Sequence, residues 1–272
     1  MSNPQSIRPL LKWAGGKRWF INRYQHALSS VAQGRIVEPF AGSIALAFGL
    51  QAKEVLAGDI NPHLINFYNQ IKSGSFEIPL TIRTKDNYYA LREEFNGLIL
   101  GGDALSSRGA QLFWLLNRMG FNGLCRFNQE GLFNTPFGKY STRMIFPAWD
   151  FYNTFFEKWK FQSQSFESLE LWDNDFIFCD PPYDNGWQGY YETNFSMGQQ
   201  EKVAQWLKNH KGLGLIMNHA TPEILEIYKA AGFETHIISA PRRISASADR
   251  RKDVQEVIAT HHFSWKDLMR SV

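Results

Sequence analysis

Residues 35–59 read RIVEPFAGSIALAFGLQAKEVLAGD. The apolar runs at 35–38 and 54–58 predict two short buried strands, and the stretch from Ala45 to Lys53 between them is compatible with a helix. Strands that alternate with helices are typical of α/β domains with a mostly parallel sheet. This stretch therefore predicts an α/β fold.

The same alternation returns in the second half of the chain. Four apolar runs predict further strands: 176–179, 213–217, 235–239 and 254–260. Helical spacing of apolar residues extends over Gln199–His210, and a second helix is expected to begin after Thr221 with Pro222 and to end at Gly232. Both ends of the chain thus contribute to one predicted sheet.

The middle of the chain has a different pattern. From about Asn61 to Phe146 it is helical and rich in loops, with a glycine and serine break at 101–109. We therefore predict that residues 1–61 and 151–272 form one α/β domain, and that residues 62–150 are a helical insertion in it.

The composition is that of a globular protein and excludes wholesale disorder. Of the 272 residues 44% are hydrophobic, and 29 Lys and Arg against 26 Asp and Glu leave a net charge of +3, too small to argue for a nucleic-acid partner by itself. The N-terminus lacks the apolar core of a leader, and no apolar run reaches the ~18 residues of a membrane span. These features predict a cytoplasmic protein with no membrane partner.

The cysteines and histidines predict neither a disulfide scaffold nor a metal site. Cys125 and Cys179 have no CxxC spacing and are expected to be reduced thiols. The seven histidines show no HExxH or other paired spacing, and His261 and His262, adjacent on a predicted strand, should point to opposite faces. No bound metal is expected.

The motif Asp180-Pro181-Pro182-Tyr183 directly follows a predicted strand, so it lies at the carboxyl end of the sheet, where open α/β folds bind ligands. The carboxylate of Asp180 and the carbonyl of Pro181 can accept both hydrogens of an exocyclic amine and so free a lone pair that the ring otherwise delocalises. Consecutive prolines fix the carbonyl, and Tyr183 offers a face on which a base can stack. The structural alternative is a proline-rich strand exit with a surface Asp and a packed Tyr.

Two other strand ends carry a glycine or an acid. Gly42 lies in the turn after the first strand, where backbone N–H groups can approach a ligand closely. Asp59 ends the next strand, where an acid commonly binds a ribose hydroxyl. A second interpretation, which does not exclude the first, makes Asp59 the cap of a helix that begins near Pro62. The segment from Lys12 to Lys17 has paired glycines but not the P-loop pattern, and alone it indicates only a tight turn.

Basic and aromatic residues are interleaved between Trp114 and Arg143. The basic residues are Arg118, Arg126, Lys139 and Arg143, and the aromatic ones are Phe121, Phe127, Phe133, Phe137 and Tyr140. Such a surface can follow a nucleic-acid backbone and stack on bases, although a charged face over a phenylalanine core gives the same pattern. A second basic cluster at 242–252 is a candidate for phosphate contacts, and 184–197 is a candidate lid.

Six motifs occur in order along the chain: LLKWAGGK, VEPFAGS, GDIN, NRMGFNGLCRFN, FNTPFGKY and DPPY. Together they resemble the Dam-type DNA adenine-N6 methyltransferases, including those that modify GATC, from about Leu10 to Ile258. The resemblance implies a Rossmann-like S-adenosylmethionine-dependent methyltransferase core with a helical target-recognition insertion at 62–150. It also implies S-adenosyl-L-methionine as methyl donor and a flipped adenine in double-stranded DNA as acceptor.

The resemblance further implies roles for single residues. The catalytic residues would be Asp180, Pro181 and Tyr183, and those at the cofactor would be Trp13, Lys17, Phe40, Gly42, Asp59 and Asp180. The DNA-binding residues would be Lys12, Arg118, Phe121, Asn122, Leu124, Arg126, Pro136 and Arg250. By this match Phe121 and Asn122 probe the gap left by the extruded adenine, and Leu124 and Pro136 contact a thymine methyl group. Arg126 binds one guanine and Lys12 the other.

The sequence departs from the family pattern at one position. The family usually has a second glycine in the FxGxG turn, where this chain has Ile44, and a branched residue resists positive φ and can crowd the methionine end of the cofactor. Two alternatives stay open, namely transfer to cytosine N4, which shares the amine chemistry, and a catalytically silent DNA-binding protein of the same fold. No obligatory protein partner is evident.

Overall fold

The computed structural model describes residues 7–74, 76–78, 84–138, 146–183, 195–241 and 254–270. In this part of the chain the strands are β1 (Ile36–Glu38), β2 (Val55–Asp59), β3 (Trp159–Ser163), β4 (Phe176–Cys179), β5 (Gly214–His219), β6 (Glu234–Ala240) and β7 (Val254–His261). The helices are α1 (Arg18–Val31), α2 (Ala45–Leu50), α3 (Pro62–Lys72), α4 (Lys85–Gly101), α5 (Ser107–Met119), α6 (Trp149–Phe155), α7 (Met197–Lys208), α8 (Pro222–Ala231) and α9 (Trp265–Arg270).

All these strands join one sheet in the order β3-β2-β1-β4-β5-β7-β6. β1 pairs in parallel with β2 and β4, β2 with β3, and β4 with β5, whereas β7 runs antiparallel to both β5 and β6. From β1 the chain builds one side of the sheet through β2 and β3, and then the other side from β4 onward. The predicted Rossmann-like α/β core with a mostly parallel sheet is confirmed.

The sheet is buried on both faces because alternate strand residues enter two hydrophobic clusters. Ile36 and Phe176 belong to the cluster beneath α1, α2 and α3, whereas Val37 and Ile177 belong to the cluster beneath α7 and α8. The apolar runs that predict strands therefore reflect burial on two sides. The sequence does not predict β3, since this edge strand alternates buried and less buried residues in WKFQS.

Helix boundaries follow local capping chemistry. Asn61 accepts hydrogen bonds from the backbone N–H groups of His63 and Leu64, so α3 begins with Pro62 in its first turn. Thr221 caps α8, and Gly232 ends it with a φ of +87°, as the sequence predicts.

The helices α3, α4 and α5 share the first hydrophobic cluster with the sheet. Phe67, Phe95 and Trp114 are fully buried members of that cluster. These helices therefore rest directly on the α/β core. The division of the chain at residues 62 and 150 stays a prediction.

The two adjacent histidines differ from the sequence-based expectation. β7 ends at His261, and His262 has a φ of +62°, so the two rings stack with their centroids 3.7 Å apart instead of pointing to opposite faces. Each ring faces a backbone carbonyl of residues 210–212. Among the described residues no group of His, Cys, Asp or Glu is arranged to hold a metal ion. None of the described helices has both the length and the hydropathy needed to cross a membrane.

Candidate functional site

The candidate site lies at the carboxyl ends of β1, β2 and β4. Because these strands are parallel neighbours, the segments that follow them meet at one edge of the sheet. The strand order reverses between β1 and β4, since β2 and β3 lie on one side of β1 and β4 and β5 on the other, and such a switch point opens a crevice for a ligand. Gly42 follows β1, Asp59 ends β2, and Asp180 follows β4 directly.

Lys17 and Asp180 form a buried ion pair at this edge. The Lys17 Nζ lies 2.8 Å from Asp180 Oδ1 and donates a second hydrogen bond of 2.8 Å to the Gly15 carbonyl oxygen. The Lys17 residue is 1% exposed, whereas the Asp180 side chain is 22% exposed. Burial raises the pKa of Asp180, and the charge of Lys17 opposes that rise. Lys17 therefore fixes one carboxylate oxygen, and the carboxylate keeps some access to solvent.

The ring of Tyr183 packs beside this pair. Its centroid lies 4.5 Å from that of the His219 ring and 4.6 Å from Lys17 Nζ. The Tyr183 hydroxyl is buried without a hydrogen bond of normal geometry. Burial raises the pKa of Tyr183, so the phenol stays neutral.

Two buried amides that the sequence analysis missed hold the proline turn. Gln200 Nε2 donates to the Pro182 carbonyl oxygen at 2.8 Å, and Asn218 Nδ2 donates to Gln200 Oε1 at 2.9 Å. Both residues are at most 1% exposed. A buried polar chain of this kind holds the turn in one position.

The turn after β1 is tightly built around Gly42. Gly42 has a φ of +46°, and a Cβ there would lie 2.7 Å from the indole nitrogen of Trp13, so any side chain would displace that ring. The Tyr68 hydroxyl donates to the Gly42 carbonyl oxygen at 3.0 Å. Phe40 packs its ring 5.5 Å from Phe166. Trp13 therefore lies against Gly42, whereas the Phe40 ring packs on the second hydrophobic cluster.

Asp59 joins two backbone segments at the end of β2. Its Oδ2 accepts from the Gly42 N–H at 3.2 Å, and its Oδ1 accepts from the Asn61 N–H at 3.0 Å. Burial raises the pKa of Asp59 to about 6. The cap of α3 is Asn61, so the alternative interpretation of Asp59 as that cap is wrong.

Glu38 is a site residue whose role the sequence analysis did not identify. It ends β1, and its Oε1 accepts from the Ala47 N–H at 2.8 Å in the first turn of α2. Burial raises its pKa to about 8 despite that bond. The only sequence signal is an acid within an otherwise apolar strand.

Ile44 adopts the left-handed conformation that a branched residue resists. Its φ is +51°, immediately before α2. The side chain is 0% exposed and belongs to the first hydrophobic cluster, so it packs into the core. The expectation that Ile44 crowds the cofactor end of the crevice therefore finds no support in the side-chain position.

Most of the predicted DNA-binding residues lie on one loop, residues 120–137. Antiparallel bridges join Gly120 to Phe137 and Phe127 to Phe133, so the loop doubles back like a hairpin. The Phe121 N–H donates to the Pro136 carbonyl oxygen at 2.8 Å, and the Phe121 ring is 40% exposed. We call residues 120–137 the hairpin loop. Phe121, Asn122, Leu124, Arg126 and Pro136 all belong to it.

Lys12 and Arg118 flank the hairpin loop. The Lys12 N–H donates to Asn117 Oδ1 at 2.9 Å, and Asn117 Nδ2 donates to the Lys12 carbonyl oxygen at 2.7 Å. The Lys12 Nζ donates to the Arg118 carbonyl oxygen at the end of α5. A Cβ at Gly123 would lie 2.4 Å from Lys12 Cβ, so only glycine permits this approach. Lys12 is thereby brought beside the other predicted DNA-binding residues.

The guanidinium of Arg126 is oriented by Asn134. Arg126 Nε donates to Asn134 Oδ1 at 2.7 Å, and Nη2 donates to the Asn134 carbonyl oxygen at 3.1 Å. Residues 126–130 are not helical, so the spacing of Arg126 and Glu130 does not make them neighbours on a helix face. Arg250, the basic cluster 242–252 and most of the candidate lid at 184–197 lie outside the described residues.

The comparisons with known proteins agree with this geometry. Residues 13–244 match the family model of the D12 class N6 adenine-specific DNA methyltransferases. The chain belongs to this family. It is 35% identical to a DNA adenine methylase of Haemophilus influenzae, over 93% of both chains. It is 34% identical to the Retron Ec67 DNA adenine methylase of Escherichia coli, over 92% of this chain and 90% of the relative.

The likeness to one solved structure is more distant. A precorrin-6y C5,15-methyltransferase from Geobacter metallireducens covers 94% of this chain and 100% of its own, with a TM-score of 0.35 and 10% identity.

Proposed function

We propose that this D12-class enzyme transfers a methyl group from S-adenosyl-L-methionine to N6 of an adenine flipped out of double-stranded DNA, within the sequence GATC. The observation that carries the proposal is the Asp180 carboxylate, fixed by Lys17 at the carboxyl end of β4 with the Tyr183 ring beside it. Membership of an adenine-specific family favours adenine N6 over cytosine N4. The presence of Asp180, Pro181 and Tyr183 argues against a catalytically silent protein.

The residues at the ends of β1 and β2 fit S-adenosyl-L-methionine. Gly42 lets the Trp13 indole lie directly against the backbone of the turn after β1. Asp59 retains acceptor capacity for ribose hydroxyls, since each of its oxygens receives only one hydrogen bond. Ile60, which the sequence analysis missed, exposes 51% of an apolar surface next to Asp59 and suits the face of a purine ring. When bound, this cofactor supplies an electrophilic methyl group on a sulfonium.

Asp180 prepares the acceptor amine. Lys17 occupies its Oδ1, which leaves Oδ2 to accept a hydrogen of the adenine amine. Together with the Pro181 carbonyl, this directs the nitrogen lone pair away from the ring and toward the methyl group. Tyr183 supplies a stacking face, worth roughly 1–3 kcal/mol for a base on an aromatic ring. The chain needs no further nucleophile of its own, since the amine attacks directly.

The hairpin loop with Lys12 and Arg118 is proposed to read the DNA. Arg126 presents a planar fork that suits O6 and N7 of guanine, and the exposed Phe121 suits insertion into the gap left by the flipped adenine. Asn122, Leu124 and Pro136 would complete the target-recognition surface within the helical region 62–150. Double-stranded DNA is the proposed partner, and the proposed location is the cytoplasm of a prokaryotic or phage-infected cell.

Methyl transfer from a labelled cofactor tests the proposal. Duplexes with GATC, with each single-base variant, and with N6-methyladenine already in both strands of GATC should be compared under saturating cofactor. The expected result is label at adenine N6 of GATC alone. Label at cytosine N4 would contradict the adenine assignment, and equal labelling of the variant duplexes would contradict the GATC assignment.

A further inference from the structure

Glu256 lies in the interior of β7 with its side chain toward the candidate site. In the antiparallel pairing of β5 and β7, Glu256 is directly opposite His219, and directly opposite residues place their side chains on the same face of a sheet. The His219 ring in turn contacts the ring of Tyr183. Glu256 thus lies near the proline turn after β4, although its strand β7 is two strands away from β4 in the sheet.

The position of the Glu256 carboxyl group is energetically unfavourable, because the group is buried. The residue is 6% exposed, and its Oε2 is buried without a hydrogen bond of normal geometry. The Tyr183 hydroxyl is in the same condition. Buried polar atoms are normally satisfied, so two such atoms at one site require an explanation.

The electrostatic surroundings show which groups Glu256 faces. Burial raises the pKa of Glu256 to about 7, whereas the charge of Lys17 and hydrogen bonding from Tyr183 act in the opposite direction. The charge of Asp180 adds to the rise. Glu256 is paired with His219 on β5 and with the apolar Ile238 on β6. The Tyr183 hydroxyl thus has two carboxylates within its reach, Asp180 and Glu256, and the charge of Lys17 acts on both. Since Asp180 already pairs with Lys17, Glu256 is the carboxylate without another partner of normal geometry for its Oε2.

We propose that Glu256 is a positioning residue for methyl transfer, which receives the Tyr183 hydroxyl and thereby fixes the ring on which the target base stacks. The inference rests on the proposed function of Tyr183. A phenol ring has two faces and a broad range of χ2, so stacking alone does not determine its angle. A hydrogen bond from the Tyr183 hydroxyl to Glu256 on β7 would hold the ring at one angle relative to Asp180, which follows β4.

The test uses the full chain with four variants: Glu256→Gln, Tyr183→Phe, the double variant, and Gln255→Ala as control. Gln255 is exposed on the opposite face of the same strand. For each folded variant kcat, the KM for the cofactor and the Kd for a GATC duplex are measured. Glu256→Gln should lower kcat roughly tenfold, the worth of one hydrogen bond to a charged group, and leave KM and Kd within about twofold. Gln255→Ala should leave all three unchanged.

The double variant separates positioning from structural support. If Glu256 acts through the Tyr183 hydroxyl, Tyr183→Phe removes the same interaction, so the double variant should be no slower than the slower single variant. The wild-type kcat should also fall between about pH 8 and pH 6 as Glu256 gains a proton, and the profile of Glu256→Gln should be flatter. Additive losses, a kcat of Glu256→Gln within twofold of wild type, or parallel pH profiles would overturn the inference.

The experiment distinguishes a failure of the proposed function from a failure of the inference about Glu256. A wild-type chain that transfers no methyl group to DNA overturns both proposals, whereas an active wild type with an unaffected Glu256→Gln overturns only this one. Should Glu256→Gln not fold, Glu256→Asp replaces it, since this variant keeps the charge and withdraws the carboxyl by one methylene. The same loss of kcat with unchanged KM is then expected, and an unchanged kcat contradicts the inference.

Discussion

Asp180 contributes both to the proposed catalysis and to stability, through its ion pair with Lys17. Asp180→Ala should lower turnover by at least about 100-fold, since each lost contact to the reacting group costs on the order of 2.7–4 kcal/mol. It should also lower the free energy of unfolding, by less than the roughly 3–5 kcal/mol of a fully broken buried pair, because the buried Lys17 ammonium loses its ion-pair partner but keeps the Gly15 carbonyl and the charge of Glu256. Adding Lys17→Met should restore the stability and not the activity. Turnover above a tenth of wild type, with DNA binding intact, would contradict the role of Asp180.

Ile44 makes a second residue-scale prediction, because backbone and side chain there have opposite preferences. Glycine would relieve a left-handed conformation that costs roughly 1–2 kcal/mol, but it would remove a fully buried side chain, and truncations of that size cost about 2–5 kcal/mol. Ile44→Gly should therefore destabilise the fold by about 1–3 kcal/mol in denaturant unfolding. Cofactor affinity should change less than about threefold, since the side chain lies in the core. Tenfold tighter binding would show instead that Ile44 crowds the cofactor.

At the scale of elements, the hairpin loop presents Arg126 as a rigid fork. Arg126→Ala should relax discrimination at one guanine by roughly 10- to 100-fold, the worth of a bidentate contact. Asn134→Ala should have a smaller effect in the same direction, since the bond to the Asn134 carbonyl remains. Competition between GATC and single-base variants measures both, with Glu130→Ala as a control that leaves discrimination unchanged. Equal slowing of every duplex by Arg126→Ala would contradict the readout role.

The same elements show what a sequence can predict. β1, β4 and β5 are apolar because both sheet faces are covered, so their positions are predicted from composition alone. The position of β3 is not predicted, since an edge strand needs only one apolar face and WKFQS is not a continuous apolar run. The motif residues Gly42 and Asp180 are local in the chain and were predicted at strand ends. Glu256 is not predicted, because its position beside His219 arises from the register of β5 against β7, which no local pattern contains. The role of Glu38 is not predicted either, because its bond to the Ala47 N–H depends on how α2 packs against the end of β1.

On the scale of the whole molecule, the sheet carries several buried acids whose pKa values are raised by burial. Burial raises the pKa of Glu38 to about 8, of Glu256 to about 7 and of Asp59 to about 6, and it also raises that of Asp180. Between its unfolded and its folded pKa value, each of these groups holds a proton in the folded state that the unfolded chain has already released. Folding is therefore less favourable as pH rises from about 4.5, the opposite of the usual behaviour of salt-bridged carboxylates.

Glu38 gives this pH dependence its clearest test. Since the unfolded carboxyl ionises near pH 4.5 and the folded one near pH 8, the wild type should lose on the order of 4 kcal/mol of stability between those values from this group alone. Glu38→Gln keeps an oxygen for the Ala47 N–H but does not titrate, so its unfolding free energy should fall less over the same range and exceed that of wild type at pH 8. Denaturant unfolding at several pH values measures the difference, with the exposed Glu157→Gln as control. Parallel curves for wild type and Glu38→Gln would mean that Glu38 is ionised in the folded enzyme, and that the end of β1 carries a permanent negative charge beside Asp180.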